Sequence, residues 1–234
     1  MIVRRHDAGW LLITQPDHAA LSAQLMTEWR ADGLPAHPRR DIILLATREH
    51  DAGWADVDVA PLVDPASGQV LDFVHAPDVT RQSVWPRSVE RLTGEPYADA
   101  LVAQHALHVY RDNRPDPAWT PFFEQMEALR REQLARTPHS LAALEHDYQF
   151  VRLGDLLSLF FANAWPGPRV EGPYTVRVAP GEVTASPDPF AGRHVPFTIR
   201  GRLLPADRYT DAEAAARSYA AAPVVTLTGT AFGS

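Results

Sequence analysis

The pattern of apolar and polar residues divides the chain into a short β-prone start, a long helical middle and a β-prone end. Residues 2–5 and 10–14 are β-prone and flank a turn sequence, which predicts a hairpin. Between residues 16 and 165, apolar residues recur at spacings of three and four, as in amphipathic helices. We therefore predict a mainly α fold, a helical bundle with a small β-sheet formed by the N-terminal hairpin and the C-terminal strands.

Three predicted helices are important for the chemistry. Pro16 opens the first, in which His18, Leu21 and Leu25 share a face, so we expect His18 to point inward. The second follows Asp41, is apolar on all sides in its first half, and ends near the pair His50-Asp51. The third is predicted from Pro138 to about Trp165, and one of its faces carries Leu144, Tyr148, Val151, Asp155 and Ser158.

Size and composition limit the classes of protein to consider. The chain has 234 residues, which predicts a single domain over 1–234, with a helical core at 16–165 and β-rich flanks at 1–15 and 168–234. A net charge of −7 argues against nucleic-acid binding, and the lack of cysteine excludes disulfides and thiolate metal sites. No apolar run approaches the ~20 residues of a membrane span, and the N-terminus lacks a signal-peptide core. We therefore expect a cytoplasmic protein.

Asp155 is the most informative single residue. It lies in the apolar segment R-L-G-D-L-L-S-L-F-F, and a buried carboxylate is costly unless a cation compensates it. A histidine, an arginine or a metal ion could do so, and His18 and His50-Asp51 lie in other apolar helices. One shared metal centre is the interpretation we favour. The alternatives are an ion pair between Asp155 and Arg152, and a helix C-terminus at which His50 interacts with the helix dipole and Asp51 is solvated.

The order of these residues resembles the HD superfamily of metal-dependent phosphohydrolases. The resemblance rests on the lone His18, the pair in R-E-H-D-A-G-W and the late Asp155 in L-G-D-L-L-S-L, and it covers roughly residues 16–165. It implies an HD-like helical bundle in which His18, His50, Asp51 and Asp155 bind a divalent ion such as Mn, Fe, Zn, Co or Mg. More closely, the chain resembles an uncharacterised bacterial family, domain-of-unknown-function family 3891, through L-L-I-T-Q-P-D-H-A-A-L, Q-H-A-L-H-V-Y and D-Y-Q-F-V-R-L-G-D-L-L-S-L.

Further candidates surround this predicted centre. His105 and His108 lie on one side of a predicted helix, and we consider them second-metal ligands or phosphate contacts. Asp56 and Asp58 follow the His-Asp pair in an irregular stretch, and either could orient water or protonate a leaving group. Possible phosphate contacts are Arg48, Arg81 and Arg152.

The function predicted from these residues is hydrolysis of a phosphate ester by metal-activated water. The expected partner is a phosphorylated small molecule, with a nucleotide or a related metabolite as the example. One alternative is an HD-type diiron oxygenase, which needs two metals and more histidines. The other is a non-catalytic protein that binds a metal or ligand at a degenerate site. The sequence leaves the oligomeric state open.

Overall fold

The structure, a computed structural model, describes residues 1–92, 94–205 and 208–234. The helices in these ranges are α1 (Gln15–Thr27), α2 (Arg40–Glu49), α3 (Asp78–Arg91), α4 (Pro96–Val109), α5 (Thr120–Ala135), α6 (Leu141–Asn163) and α7 (Ala212–Ala221). The strands are β1 (Ile2–His6), β2 (Gly9–Ile13), β3 (Arg169–Glu171), β4 (Tyr174–Ala179), β5 (Glu182–Ser186), β6 (Val195–Leu204) and β7 (Val224–Gly233). None of these helices combines the length and the apolar character needed to cross a bilayer.

The prediction of a mainly α, HD-like bundle with a small sheet is wrong. The chain is about 49% helical and 20% strand, and its seven strands form one curled, mixed sheet shaped as a half-barrel. The strand order is β1-β2-β6-β7-β5-β4-β3, and only β5 and β7 pair in parallel among these neighbours. The N-terminal hairpin does pair with a C-terminal strand, with Leu11 opposite Leu203. The size of the sheet was missed because its pairings join segments far apart in sequence, which local periodicity does not report.

The start of one helix also differs from the prediction. α6 begins at Leu141 rather than at Pro138, because the Ser140 hydroxyl accepts a hydrogen bond from the Ala143 amide at 3.2 Å and caps the helix. This shift leaves the face of α6 that carries Asp155 unchanged.

Aromatic contacts join the helices to the sheet. Trp29, just after α1, meets the rings of Tyr174 and Phe190 edge-on at 4.9 and 5.6 Å. Phe161 in α6 meets Phe197 in β6 at 4.7 Å. All of these side chains are buried. The sheet therefore packs against one side of α1 and α6, and their other side packs against α2 and α4.

Asp99 in α4 is a buried carboxylate away from these aromatic contacts, and we expect its replacement by asparagine to stabilise the protein. It is 6% exposed, its Oδ1 has no hydrogen-bond partner in the described ranges, and burial raises its pKa to about 6. In the unfolded chain the Asp99 carboxyl has a pKa near 3.9. Below about pH 4 the carboxyl is protonated in both states and the folded protein has its full stability. As the pH rises from about 4 through about 6, the unfolded state loses this proton first and the free energy of unfolding falls. Asp99→Asn should therefore raise the free energy of unfolding at pH 7 by about 1–2 kcal/mol and change it little at pH 4.

Urea unfolding at several pH values between 4 and 7 measures this difference. Asp112→Asn is the matched control, because the Asp112 side chain is 90% exposed. The interpretation of Asp99 fails if the difference in free energy of unfolding between Asp99→Asn and the wild type does not increase between pH 4 and pH 6.

Candidate metal centre

The four residues predicted as metal ligands lie together. His18 comes from α1, His50 and Asp51 follow α2, and Asp155 comes from α6. His18 Nε2 is 2.7 Å from Asp51 Oδ2, and His50 Nε2 is 3.6 Å from the same oxygen and 3.4 Å from Asp155 Oδ1. Adjacent ligands of one ion lie about 3 Å apart when each bond is about 2.1 Å long. The spacing of these atoms is therefore compatible with one shared ion.

Gly154 allows the three helices to approach this closely. A Cβ at this position would lie 2.8 Å from Met26 Cγ in α1 and 2.9 Å from Thr47 Cγ2 in α2. A glycine inside a helix costs roughly 1 kcal/mol relative to alanine, so its presence in α6 needs a packing reason. The reason here is close contact with α1 and α2, which brings the neighbouring Asp155 to the two histidines.

The Nδ1 atoms of His18 and His50, which face away from the carboxylates, form hydrogen bonds with neighbouring groups. His50 Nδ1 donates a hydrogen bond to the Thr47 carbonyl oxygen at 2.7 Å, which leaves the lone pair of neutral His50 on Nε2. His18 Nδ1 lies 2.9 Å from Ser158 Oγ, and the Ser158 hydroxyl donates to the Asp155 carbonyl oxygen at 3.0 Å. Such partners fix the tautomer and the ring orientation of metal-ligating histidines.

His105 adds a second group that shares His50. Its Nε2 is 3.8 Å from Asp155 Oδ2, and its Nδ1 lies 2.9 Å from the Tyr148 hydroxyl. His50, His105 and Asp155 each offer a ligand atom within 4.8 Å of the others, as do His18, His50 and Asp51. Burial lowers the pKa of His105 to about 3, so this imidazole is neutral at physiological pH and can offer a lone pair.

The electrostatics of the cluster favour a bound cation. Burial lowers the pKa of His50, but the negative charges of Asp51 and Asp155 outweigh it and raise the pKa to about 9. Burial raises the pKa of Asp155, and the neighbouring histidines overcome this effect and lower it to about 2. His50 Nε2 is buried and has no hydrogen-bond partner in the described part of the chain. A divalent ion would satisfy this nitrogen and neutralise both carboxylates.

A cavity of about 240 Å³ opens onto the cluster. Asp51, His105 and Asp155 line it. The rest of the lining comprises Gln15, Trp54, Phe73, Val74, Arg81, Trp85, Val109, Tyr110, Asn113 and Leu159. A larger cavity of about 480 Å³ lies beside the β1–β2 hairpin and contains none of the predicted ligands. The smaller cavity therefore provides the access to the candidate metal centre.

The predicted catalytic aspartates do not line this cavity. Asp56 lies at the surface and accepts a hydrogen bond from Arg91 Nη2 at 2.6 Å. Asp58 is buried, and its two oxygens accept hydrogen bonds from the Met1 amine at 2.8 Å and the Gln15 amide at 2.6 Å. Neither carboxylate enters the mechanism proposed below.

His108 also points away from the cluster. Its Nε2 lies 3.0 Å from Arg111 Nη1, and its ring lies beside Tyr148, with the centroids 5.6 Å apart. Burial and nearby guanidinium groups lower the pKa of His108 to about 4. His108 therefore belongs to the outer side of Tyr148, whereas His105 belongs to the cluster.

The three arginines considered as phosphate contacts have different environments. Arg152 forms an ion pair with Glu171, so it is not the partner of Asp155. Arg48 is 68% exposed beside Glu49. Arg81 lines the cavity and is the arginine that a bound substrate could contact.

A further grouping, His37, His146 and Asp147, has the wrong chemistry for a metal site. His37 Nδ1 accepts a hydrogen bond from the Arg39 amide, so the proton of the neutral ring is on Nε2, which faces Asp147 at 3.3 Å. Arg39 donates two hydrogen bonds to Asp147, at 2.5 and 3.0 Å, and the Tyr97 hydroxyl donates a third at 2.9 Å. The carboxylate is already neutralised by the guanidinium.

Sequence reasoning missed most of the cavity wall. Gln15, Trp85 and Tyr110 reach the site only through tertiary packing, and their local sequence carries no signal for it. Trp54 had a signal, because it stands three residues after Asp51 in E-H-D-A-G-W. The glycine before Asp155 was a second signal, since an unexplained glycine within a helix indicates close approach.

The comparison with protein-family models gives a match over most of the chain. The family model described as "Protein of unknown function (DUF3891)" matches residues 1–206, a span that includes every predicted ligand. No curated protein and no solved structure matches the chain.

Proposed function

The chain belongs to the DUF3891 family of proteins of unknown function, and we propose that it is a metal-dependent hydrolase of small phosphate esters. The observation that carries the proposal is the convergence of His18, His50, Asp51 and Asp155 beside a cavity of about 240 Å³. Their order resembles that of HD-superfamily phosphohydrolases. We propose this kinship for the site and not for the fold, since the seven-stranded sheet departs from the expected bundle.

These four residues would hold the ion, with His105 as a further ligand or substrate contact. Their nitrogen and oxygen donors suit Mn, Fe, Zn, Co or Mg. When bound, such an ion supplies an activated water near neutral pH and neutralises charge on a phosphoryl oxygen. Asp51 and Asp155 both line the cavity, and a carboxylate oxygen that does not hold the ion could accept a hydrogen bond from water.

Other residues of the chain would shape the reaction space. The buried Gln15 carboxamide lines the cavity, and its Oε1 has no hydrogen-bond partner within the described ranges. It can accept a hydrogen bond from a substrate hydroxyl or from water. Trp54 and Trp85 are almost fully buried and exclude solvent from the walls, which strengthens electrostatic interactions inside.

Phosphatase assays on protein of known metal content test the proposal. Protein loaded with Mn, Fe, Co, Zn or Mg should hydrolyse an aryl phosphate or a nucleoside monophosphate, and chelation should abolish the activity. Asp155→Asn should lower kcat/KM by more than the roughly 10–100-fold typical of an outer partner of a metal site. A metal-loaded protein that turns over none of these esters would reject hydrolysis and favour a non-catalytic metal-binding protein.

A diiron oxygenase is a second candidate, and one observation favours it. There are two ligand groups, and their shared member His50 has one free lone pair, so a site for two ions would use His18, His50 and Asp51 for one ion and His105 for the other, with a carboxylate such as Asp155 bridging them. Elemental analysis separates the candidates, because two irons per chain with oxygen consumption would support oxygenation. One ion per chain with phosphatase activity would support hydrolysis.

A further inference from the structure

Arg81 offers the cavity a positioned cation. Its Nη2 donates a hydrogen bond to Asp78, and its guanidinium lies over the rings of Trp119 and Tyr110 at 5.3 and 5.8 Å. Trp119 Nε1 in turn donates to Asp78 Oδ2 at 3.3 Å. Arg81 Nε is buried and lacks a hydrogen-bond partner in the described part of the chain. An ion pair with Asp78 and two aromatic rings thus hold the side chain in place, and only one of the five N–H groups of its guanidinium is given to Asp78.

Trp85 separates this guanidinium from the metal centre. It follows Arg81 by one helical turn on the same face of α3, and its ring lies 5.4 Å from that of His105. The His105 ring lies 4.8 Å from that of His50. The contacts run from Arg81 over the Tyr110 ring, from Tyr110 to Trp85 with centroids 6.0 Å apart, and from Trp85 to His105, so an aromatic surface separates the two polar ends of the cavity.

The wall between these ends is mostly apolar. Trp54, Phe73 and Leu159 line the cavity, and Val74 and Val109 line it while remaining 49% and 41% exposed. A purely polar substrate would leave this surface without a partner, whereas a small aromatic or aliphatic body would cover it.

We infer that the substrate has two poles: a phosphoryl group at the histidine–aspartate cluster and a second anionic group, a carboxylate or a phosphate, bound by Arg81. A small apolar body joins them along Trp85. This inference rests on the proposed function, because it names the substrate class of the same cavity. It gives Arg81 a role in specificity, as a residue that binds a group remote from the reacting bond.

Calorimetric titration with two inert probes, each with and without added Mg²⁺, tests this assignment. Phenylphosphonate carries one pole, and 4-phosphonobenzoate carries both. Arg81→Gln should weaken binding of 4-phosphonobenzoate by about 10–100-fold, as expected for a lost charge-assisted hydrogen bond, and should change phenylphosphonate binding little. Arg87→Gln is the matched control on the same helix, since Arg87 is exposed, and it should affect neither probe.

A conservative variant and the pattern of losses across the two probes test the interpretation further. Arg81→Lys keeps the charge but loses the planar fork, so its affinity for 4-phosphonobenzoate should fall between those of the wild type and Arg81→Gln. Equal losses of affinity for both probes in Arg81→Gln would place the guanidinium at the reacting group and overturn the inference. Unchanged affinity for both probes would also overturn it.

The probes are not hydrolysed, so this result is independent of turnover. Selective, Arg81-dependent binding by a protein that cleaves no phosphate ester would reject the hydrolase proposal and retain the two-pole ligand. Hydrolysis of phosphate esters by a protein whose probe binding does not depend on Arg81 would retain the hydrolase proposal and reject the two-pole ligand.

Discussion

His50→Gln is expected to abolish tight binding of a divalent ion. His50 belongs to both groups of candidate ligands, and its Nε2 faces Asp51 and Asp155 at 3.6 and 3.4 Å. Glutamine keeps a neutral polar side chain but removes the imidazole lone pair. The apparent affinity should fall by more than the roughly 10–100-fold that loss of an outer partner costs. Elemental analysis after dialysis and calorimetric titration with Mn²⁺ measure the change.

Two companion variants make this result interpretable. Ser158→Ala removes the hydroxyl beside His18 Nδ1 and leaves every ligand atom in place, so its affinity should lie between those of the wild type and His50→Gln. His75→Gln changes a histidine that is 72% exposed and contacts Asp72, and its metal content should equal that of the wild type. Circular dichroism establishes that each variant is folded. Full metal occupancy in folded His50→Gln would refute the metal centre.

The grouping of the candidate residues was more predictable than the fold. Burial of a charged group has a large energetic consequence, so an aspartate within R-L-G-D-L-L-S-L requires a compensating partner wherever it lies. That requirement, together with His18 and His50-Asp51 in other apolar helices, was enough to select residues that the structure places together. Whether they bind a metal remains a prediction.

The sheet was less predictable because its pairings are non-local. The strands around Tyr174 and Val183 are short, and their alternation indicates strands without indicating which neighbours they have. The parallel register of Glu182 with Thr230 joins segments separated by β6 and α7. The energy of such a pairing comes from backbone hydrogen bonds and cross-strand contacts, which have no local sequence signature.

The prediction that Asp56 or Asp58 orients water or protonates a leaving group rested on their place in the sequence, and the structure puts neither of them in the lining of the cavity. Both follow the His-Asp pair closely, and proximity in sequence suggested proximity in space. The chain turns after Asp51 through a short 3-10 helix, Ala52–Asp56, which directs Asp56 to the surface and Asp58 toward the Gln15 amide. A turn of this kind depends on its packing against α3, and in particular on Gly53.

Gly53→Ala is expected to destabilise the whole protein by about 3 kcal/mol or more. A Cβ at this position would lie 1.8 Å from the Val84 carbonyl oxygen and 2.7 Å from the Ser88 amide nitrogen. Both are backbone atoms of α3, so no side-chain rotation relieves the clash. The Gly53 amide also donates a hydrogen bond to Ser88 Oγ at 2.8 Å, which separation of the segments would break.

Gly33→Ala is the control for this variant, because it makes the same chemical change without a clash. A Cβ at Gly33 meets no atom within 4 Å, but the backbone there has a φ of +76°, which costs an alanine roughly 1–2 kcal/mol. Denaturant unfolding should therefore place Gly53→Ala below Gly33→Ala in stability. Because Gly53 lies two residues after Asp51, Gly53→Ala should also weaken Mn²⁺ binding, which Gly33→Ala should leave unchanged. If Gly53→Ala proves as stable as the wild type and binds Mn²⁺ equally well, the Asp51–Asp56 segment does not pack on α3 as the structure has it.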